Sequence, residues 1–221
     1  MKYENIYYGC PHCGKSSRTA KIDELIAQDE PALKTAILDG EFFDCSCEHC
    51  YEVSQVEYSF YYIDKDQGVT IYLYAGKNDG NQEPFSDIYE EGKIYRMVGS
   101  LDELREKILI FDAGLNDKIV EAVKMLMVYR YNTEHDDKAV QSIFFKKATD
   151  EALQFNMSFT DDTYTEAIAP MGLYGEALMT NPYKLNYREV KGDYIIDNQW
   201  IRETVIINRM VNEGRLPRTE Q

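Results

Sequence analysis

Cys10-Pro11-His12-Cys13-Gly14 and its echo Cys47-Glu48-His49-Cys50-Tyr51 decide how the first half of this chain folds. Each holds two cysteines with two residues between them, and 33 residues (14–46) separate the pairs. A C-x2-C pair closes a tight turn in which two thiolates converge on one ion at ~2.3 Å, and two such turns complete a tetrahedron. Gly14 suits the first turn, because glycine takes positive φ where the chain leaves the metal. Tyr51 stands at the matching place in the second turn. Cys10, Cys13, Cys47 and Cys50 are therefore the candidate ligands. His12 and His49 lie inside the turns and read as exposed knuckle residues. Cys45, the fifth cysteine, either points away from the metal on the strand leading in or serves as an alternate ligand.

The chain starts with no apolar leader, so the thiols are expected to be reduced and the protein cytoplasmic, without a disulfide framework. A thioredoxin-like redox pair needs its C-x-x-C at a helix start after a βαβ strand, and Cys10 comes too early for that. Zinc is the expected ion. Iron in the same four-thiolate set, as in a rubredoxin-like electron carrier, is the rival, because thiolates suit both metals. Four thiolates leave no open position for water, so the ion is expected to be structural. The gap between the pairs exceeds the usual ~12–20 residues. Pro31 behind Asp29 and Glu30, Leu33 and Ile37 four apart, and Gly40 as a stop predict a short inserted helix.

Within these residues the chain resembles the CpXC-domain proteins, named for two C-P-x-C motifs. The first motif is intact as Cys10-Pro11-His12-Cys13-Gly14; Leu33 to Asp39-Gly40-Glu41-Phe42-Phe43 resembles the helix and strand between the motifs. Leu104 to Leu115 looks like the segment that follows that domain, and the likeness runs over about residues 5 to 130. The second motif departs from the pattern at Glu48, where proline is usual, and at Tyr51, where glycine is usual. The resemblance implies a zinc-ribbon-like module of bacterial proteins and no particular reaction.

Composition narrows the partners. The 221 residues carry 39 acidic against 24 basic side chains, a net charge of −15. Nucleic-acid binding is driven by Lys and Arg displacing counterions from phosphates, so a nucleic acid is not an expected partner. No apolar run reaches the ~18–20 residues that span a bilayer. With 44% apolar residues the chain can bury real cores in one or two domains.

After the second pair the period falls to two. Val56, Tyr58, Phe60 and Tyr62 share one strand face, residues 64–68 turn, and Val69, Ile71 and Leu73 line the returning strand. Residues 76–93 read as a long exposed loop, and residues 94–98 as another strand. Ser100 with Glu103 forms a capping box ahead of the stripe Leu101, Leu104, Ile108 and Phe111. Asn116 caps a second helix whose expected buried face is Ile119, Val120, Val123, Leu126 and Met127. Strands are predicted at 140–145, 153–159 and 163–168, a short helix at 172–179, and a strand pair within 187–196. A last helix follows, capped by Asp197 or Asn198 and carrying Ile201, Val205 and Met210, and then a polar tail from Gly214.

The predicted fold class is α+β: an N-terminal four-cysteine zinc ribbon with an inserted helix, an antiparallel sheet, a helical hairpin and a β-rich C-terminal half ending in a helix. Two domains are expected, 1–99 and 100–221, with the helical hairpin at 100–131. Tyr58, Tyr61, Tyr62, Tyr72 and Tyr74 on the β-hairpin suggest either a sheet covered by the C-terminal half or a contact surface for a protein partner. No phosphate loop, H-E-x-x-H or G-x-S-x-G appears, so an enzyme is disfavoured. Glu134-His135-Asp136-Asp137 reads as a solvated connector; a carboxylate-dependent hydrolase built on it is the third reading. The function expected is a metal-stabilised module for protein binding or scaffolding.

Overall fold

The computed structural model describes residues 2–76, 83–135, 137–180 and 191–204. The chain divides into two compact units, Met1–Arg105 and Glu106–Gln221.

In the first unit, β1 (Tyr3–Gly9) and β2 (Ser16–Ile22) form an antiparallel hairpin whose tip is the first cysteine turn. After β3 (Glu24–Ile26) the predicted helix appears as α1 (Pro31–Asp39). Pro31 opens it, since a first-turn residue needs no N–H. Gly40 closes it at φ 82°, with its N–H on the Ile37 carbonyl and that of Glu41 on the Ala36 carbonyl. This is a Schellman ending, which satisfies carbonyls that the helix leaves orphaned. The Arg105 Nε then donates to the Leu38 carbonyl at 2.9 Å. A second hairpin, β4 (Asp44–Ser46) with β5 (Val53–Gln55), carries the second cysteine turn.

The rest of the unit is a four-stranded sheet in the order β3-β6-β7-β8, with β6 (Phe60–Asp64), β7 (Val69–Leu73) and β8 (Ile94–Val98). The central β6–β7 pair is the expected antiparallel hairpin; β3 and β8 add to its edges in parallel. The Asp64 carboxylate holds the turn by accepting from the Asp66 and Gln67 amides, both at 3.1 Å. The strand read across 56–62 is split, because residues 56–59 leave β5 before β6 begins. Its face pattern survives: Phe60 and Tyr62 are buried with Ile71, Leu73 and Val69 opposite them. The other face holds Tyr61 and Tyr72, 4.6 Å apart between ring centres. Cover comes from the loop expected to be exposed. Phe85 is fully buried between Tyr61 and Tyr95, and the Tyr61 hydroxyl donates to the Pro84 carbonyl at 2.8 Å.

The division between units falls inside α2 (Leu101–Asp112). Ser100 Oγ accepts from the Glu103 amide at 3.2 Å, while the Glu103 carboxylate reaches one residue further back than a standard box, to the Gly99 N–H. Asn116 caps α3 (Asp117–Glu134) by accepting from the Lys118 amide.

The second unit packs α3 and α4 (Met171–Thr180) on an antiparallel sheet of β9 (Val140–Ala148), β10 (Ala152–Phe159) and β11 (Tyr164–Pro170), with β10 in the middle. Leu153, Phe155, Met157 and Phe159 of β10 face the core, as their alternation requires. Residues 198–204 are helical; Asp197 Oδ1 accepts from the Trp200 amide at 2.8 Å, and Ile201 is buried. Residues 191–196 carry no strand; the remainder of the strand pair expected within 187–196, together with Val205, Met210 and the polar tail, lies outside the described residues.

The face expected on α3 holds except at Leu126, with Met127 partly buried against the core. Ile119, Val120 and Val123 are fully buried, but Leu126 is 41% exposed. The reason is that residues 117–124 are buried on every side, charged ones included, whereas the last turns reach solvent. Lys124 donates to Glu106 at 2.8 Å and to Glu121 at 2.9 Å, and Lys107 to Asp117 at 2.9 Å and to the Ile196 carbonyl at 2.7 Å. Glu106 also accepts from the Phe145 amide of β9. Burial alone would lower the Lys124 pKa, yet the Glu106 and Glu121 charges overcome it and hold it above the ordinary lysine value. Charges so far from water persist only when paired and hydrogen-bonded.

Candidate metal centre

The two hairpin tips are built alike. In the first, the Cys10 carbonyl accepts from the Gly14 N–H at 2.9 Å and the Cys10 N–H donates to Lys15 at 2.9 Å. In the second, the Cys47 carbonyl accepts from the Tyr51 N–H at 2.9 Å and the Cys47 N–H donates to Glu52 at 3.0 Å. Gly14 has φ 71° and Tyr51 φ 64°, so the second turn forces a bulky residue into the left-handed region.

These matching turns bring four sulfurs together. Cys10 Sγ lies 3.7 Å from Cys50 Sγ, Cys13 Sγ lies 3.8 Å from Cys47 Sγ, and all four fall within 4.8 Å of one another. A regular tetrahedron with metal–sulfur bonds of ~2.3 Å has sulfur–sulfur edges of ~3.8 Å. A disulfide would need ~2.05 Å. All five cysteines are free thiols. The set can hold one metal ion as it stands. Cys10 and Cys47 are buried, while Cys13 and Cys50 face outward in part.

The local field prepares the site unevenly. Amide N–H groups of His49 and Cys50 aim at the Cys47 sulfur, the former at 3.4 Å, and with the Cys10 and Cys50 thiols they outweigh burial and lower its pKa to about 6. The Glu52 amide likewise favours a Cys50 thiolate, but burial and the other three sulfurs outweigh it and push that thiol up to about 12. One sulfur is thus ready as thiolate, and a cation supplies the charge that lets the others follow.

Two contacts tie the second turn to the first hairpin. The Glu48 amide donates to Ser17 Oγ at 3.2 Å, and His49 Nε2 lies 3.0 Å from the Ser16 carbonyl. A carbonyl only accepts, so Nε2 carries the proton. The buried Ser17 hydroxyl escaped sequence reasoning, as did the bridging use of an exposed histidine. The spacing of Ser16-Ser17 just behind Cys13 was the only available signal. Cys45 donates to the Ser54 carbonyl at 3.2 Å across its own hairpin and stands outside the group of four.

Among the described residues these cysteines are the one group of His, Cys, Asp or Glu whose ligand atoms converge. Glu134 is exposed and paired with Arg130 at 2.9 Å, His135 stacks on Tyr131, and Asp137 is exposed; Asp136 lies outside the described residues. No helix among the described residues is long and apolar enough to cross a membrane.

The family model described as "CpXC protein" matches residues 9–124, more than half of the chain. The chain belongs to the CpXC family. The family match takes in both cysteine turns, α1, the four-stranded sheet, α2 and α3 as far as Lys124. This member keeps the proline of the first motif and has Glu48 in the second, where the turn closes with the same hydrogen bonds. No curated protein and no solved structure matches it.

Proposed function

We propose that Cys10, Cys13, Cys47 and Cys50 bind one zinc ion as a closed structural centre, and that the ribbon serves a cytoplasmic protein-binding or scaffold role. The observation that carries the metal reading is the pair of sulfur–sulfur distances, 3.7 and 3.8 Å, which match the edges of a zinc tetrathiolate. Four thiolates fill the coordination sphere, so the ion holds the two hairpins together and offers no site for substrate. A reducing compartment agrees with five free cysteines. Iron is the second reading. Thiolates suit both metals, and the His49 N–H directed at Cys47 Sγ would tune the potential of an iron centre held there.

One preparation tests both. Tagged protein purified from its native host is expected to be colourless, to contain one zinc per chain, and to retain a protein partner through salt washes. A red sample containing iron would replace the zinc reading with the electron carrier. Metal-free protein with an intact fold would end both.

A further inference from the structure

The three-stranded sheet of the second unit has two edges of different character. β9 joins β10 through two register irregularities and bears Lys146 and Lys147, devices that blunt an edge against further pairing. β11 pairs with β10 without interruption from Ala152↔Pro170 to Ser158↔Tyr164. Its one charged side chain, Glu166, is tied to Lys146. Tyr164 is 87% exposed and Ile168 65%.

The direction of the backbone groups follows from the ladder. The Phe159 N–H donates to the Thr163 carbonyl at 2.9 Å, and the Met171 N–H to Glu151 at 2.7 Å, at the two ends of the same register. Bonded pairs alternate along an antiparallel ladder. Thr165, Ala167 and Ala169 therefore bond to β10, while Tyr164, Glu166, Ile168 and Pro170 turn their backbone groups outward. Among the described residues the outward Glu166 carbonyl has only a long 3.4 Å contact from the Thr165 hydroxyl.

We propose that this edge pairs with β11 of a second copy of the chain, antiparallel about a two-fold axis at Ala167, so that one sheet runs through a dimer. In that register Glu166 faces the second copy's Ile168, Tyr164 faces its Pro170, and about six backbone hydrogen bonds form. Every outward N–H gains an acceptor, and the absent N–H of Pro170 leaves only a Tyr164 carbonyl at each end. Centring the axis on Glu166 would make as many bonds but would set like charges face to face. The local charges do not oppose a second copy: in 0.15 M salt the −15 of each chain is screened beyond about 8 Å, and β11 is neutral once Lys146 holds Glu166. Two-fold, self-complementary contacts are also the commonest mode of self-association.

Light scattering on the full metal-loaded chain in 0.15 M salt, where screening acts over about 8 Å, tests the proposal. The expected mass is twice 25.7 kDa. Ile168→Pro removes an outward N–H that β10 does not use, and Ile168→Glu sets a carboxylate opposite the second copy's Glu166; both are expected to run as single chains with unchanged circular dichroism. Ala167→Cys is expected to cross-link on mild oxidation above the level of the native chain, since the facing Cα atoms would stand about 4.5 Å apart. A native monomer, including one whose edge is covered by its own residues 205–221, would overturn the proposal. So would a dimer that survives both Ile168 substitutions, or cross-linking by Glu166→Cys in place of Ala167→Cys.

Discussion

Tyr51 sits in a turn that its counterpart fills with glycine, and replacing it tests the whole account of the two knuckles. The perturbation is Tyr51→Gly. The ring is 79% exposed, and the turn's bonds use only the backbone, including the Ser46 hydroxyl on the Tyr51 carbonyl, so little contact is lost. A left-handed conformation at a non-glycine residue costs about 1–2 kcal/mol. Glycine gives back about 0.5–1 kcal/mol through its freer unfolded chain. The difference favours the variant by about 0.5–1 kcal/mol. Because folding of such turns and metal binding are one equilibrium, zinc should bind about two- to fivefold more tightly. The mirror experiment is Gly14→Ala. Nothing lies within 4 Å of the Cβ it would add, so only the φ of 71° opposes it, and zinc should bind about two- to fivefold more weakly. The double variant should return near the native value. Competition against a chelator of known affinity reads all three. Weaker zinc binding by Tyr51→Gly, or no change on Gly14→Ala, would refute the claim that the two turns are equivalent and strained only at Tyr51.

Further outcomes follow from the same geometry. Cys10→Ser and Cys50→Ser each leave three thiolates and should abolish stoichiometric zinc; with about 10–16 kcal/mol of apparent binding energy at stake, far-UV signal from the first unit should melt earlier, and an unchanged melting curve with unchanged metal content would contradict this. Lys124→Met strands Glu106 in the interior without its cation and leaves Glu121 only Lys107 at 3.8 Å, for a loss of about 3–5 kcal/mol in chemical denaturation; a loss below 1 kcal/mol would show the cluster to be solvated. The Lys124 pKa is raised in the folded state, so its contribution is complete below the free lysine value of 10.5 and disappears as pH rises through the higher folded value. The native chain should therefore lose stability to denaturant above pH ~10.5, and Lys124→Met should lose less over that interval.

What could be read from the chain beforehand followed from local rules. Cysteine spacing located the four sulfurs, because a C-x2-C turn has few geometries. Pro31 and Gly40 bounded α1, Ser100 and Asn116 began α2 and α3, and the alternation Leu153, Phe155, Met157, Phe159 defined β10. Two features were hidden because they depend on distant neighbours. Whether β3 and β8 join β6 and β7 in parallel is decided by the crossovers, and nothing in strands of three and five residues records it. Glu121 and Lys124 stand three apart on a helix, the spacing of an ordinary surface pair, and Glu106, which buries them, belongs to another helix. Phe85 lay in a stretch rich in glycine and acid, where one aromatic does not outweigh its neighbours.

The sheets that carry the cysteine turns have two strands each, and a lone two-stranded ribbon is barely stable in water. The four-stranded sheet beside them closes over buried Phe60, Tyr62, Ile71 and Leu73 and has no such need. An ion bound by the four sulfurs would take the place that oil-like side chains hold elsewhere in the chain. Starvation for that ion should open the two loops of cysteine first, so that a protease cuts near Cys10 or Cys47 while the segment from Phe60 to Val98 stays whole. In a living cell such a chain would survive in proportion to its metal supply.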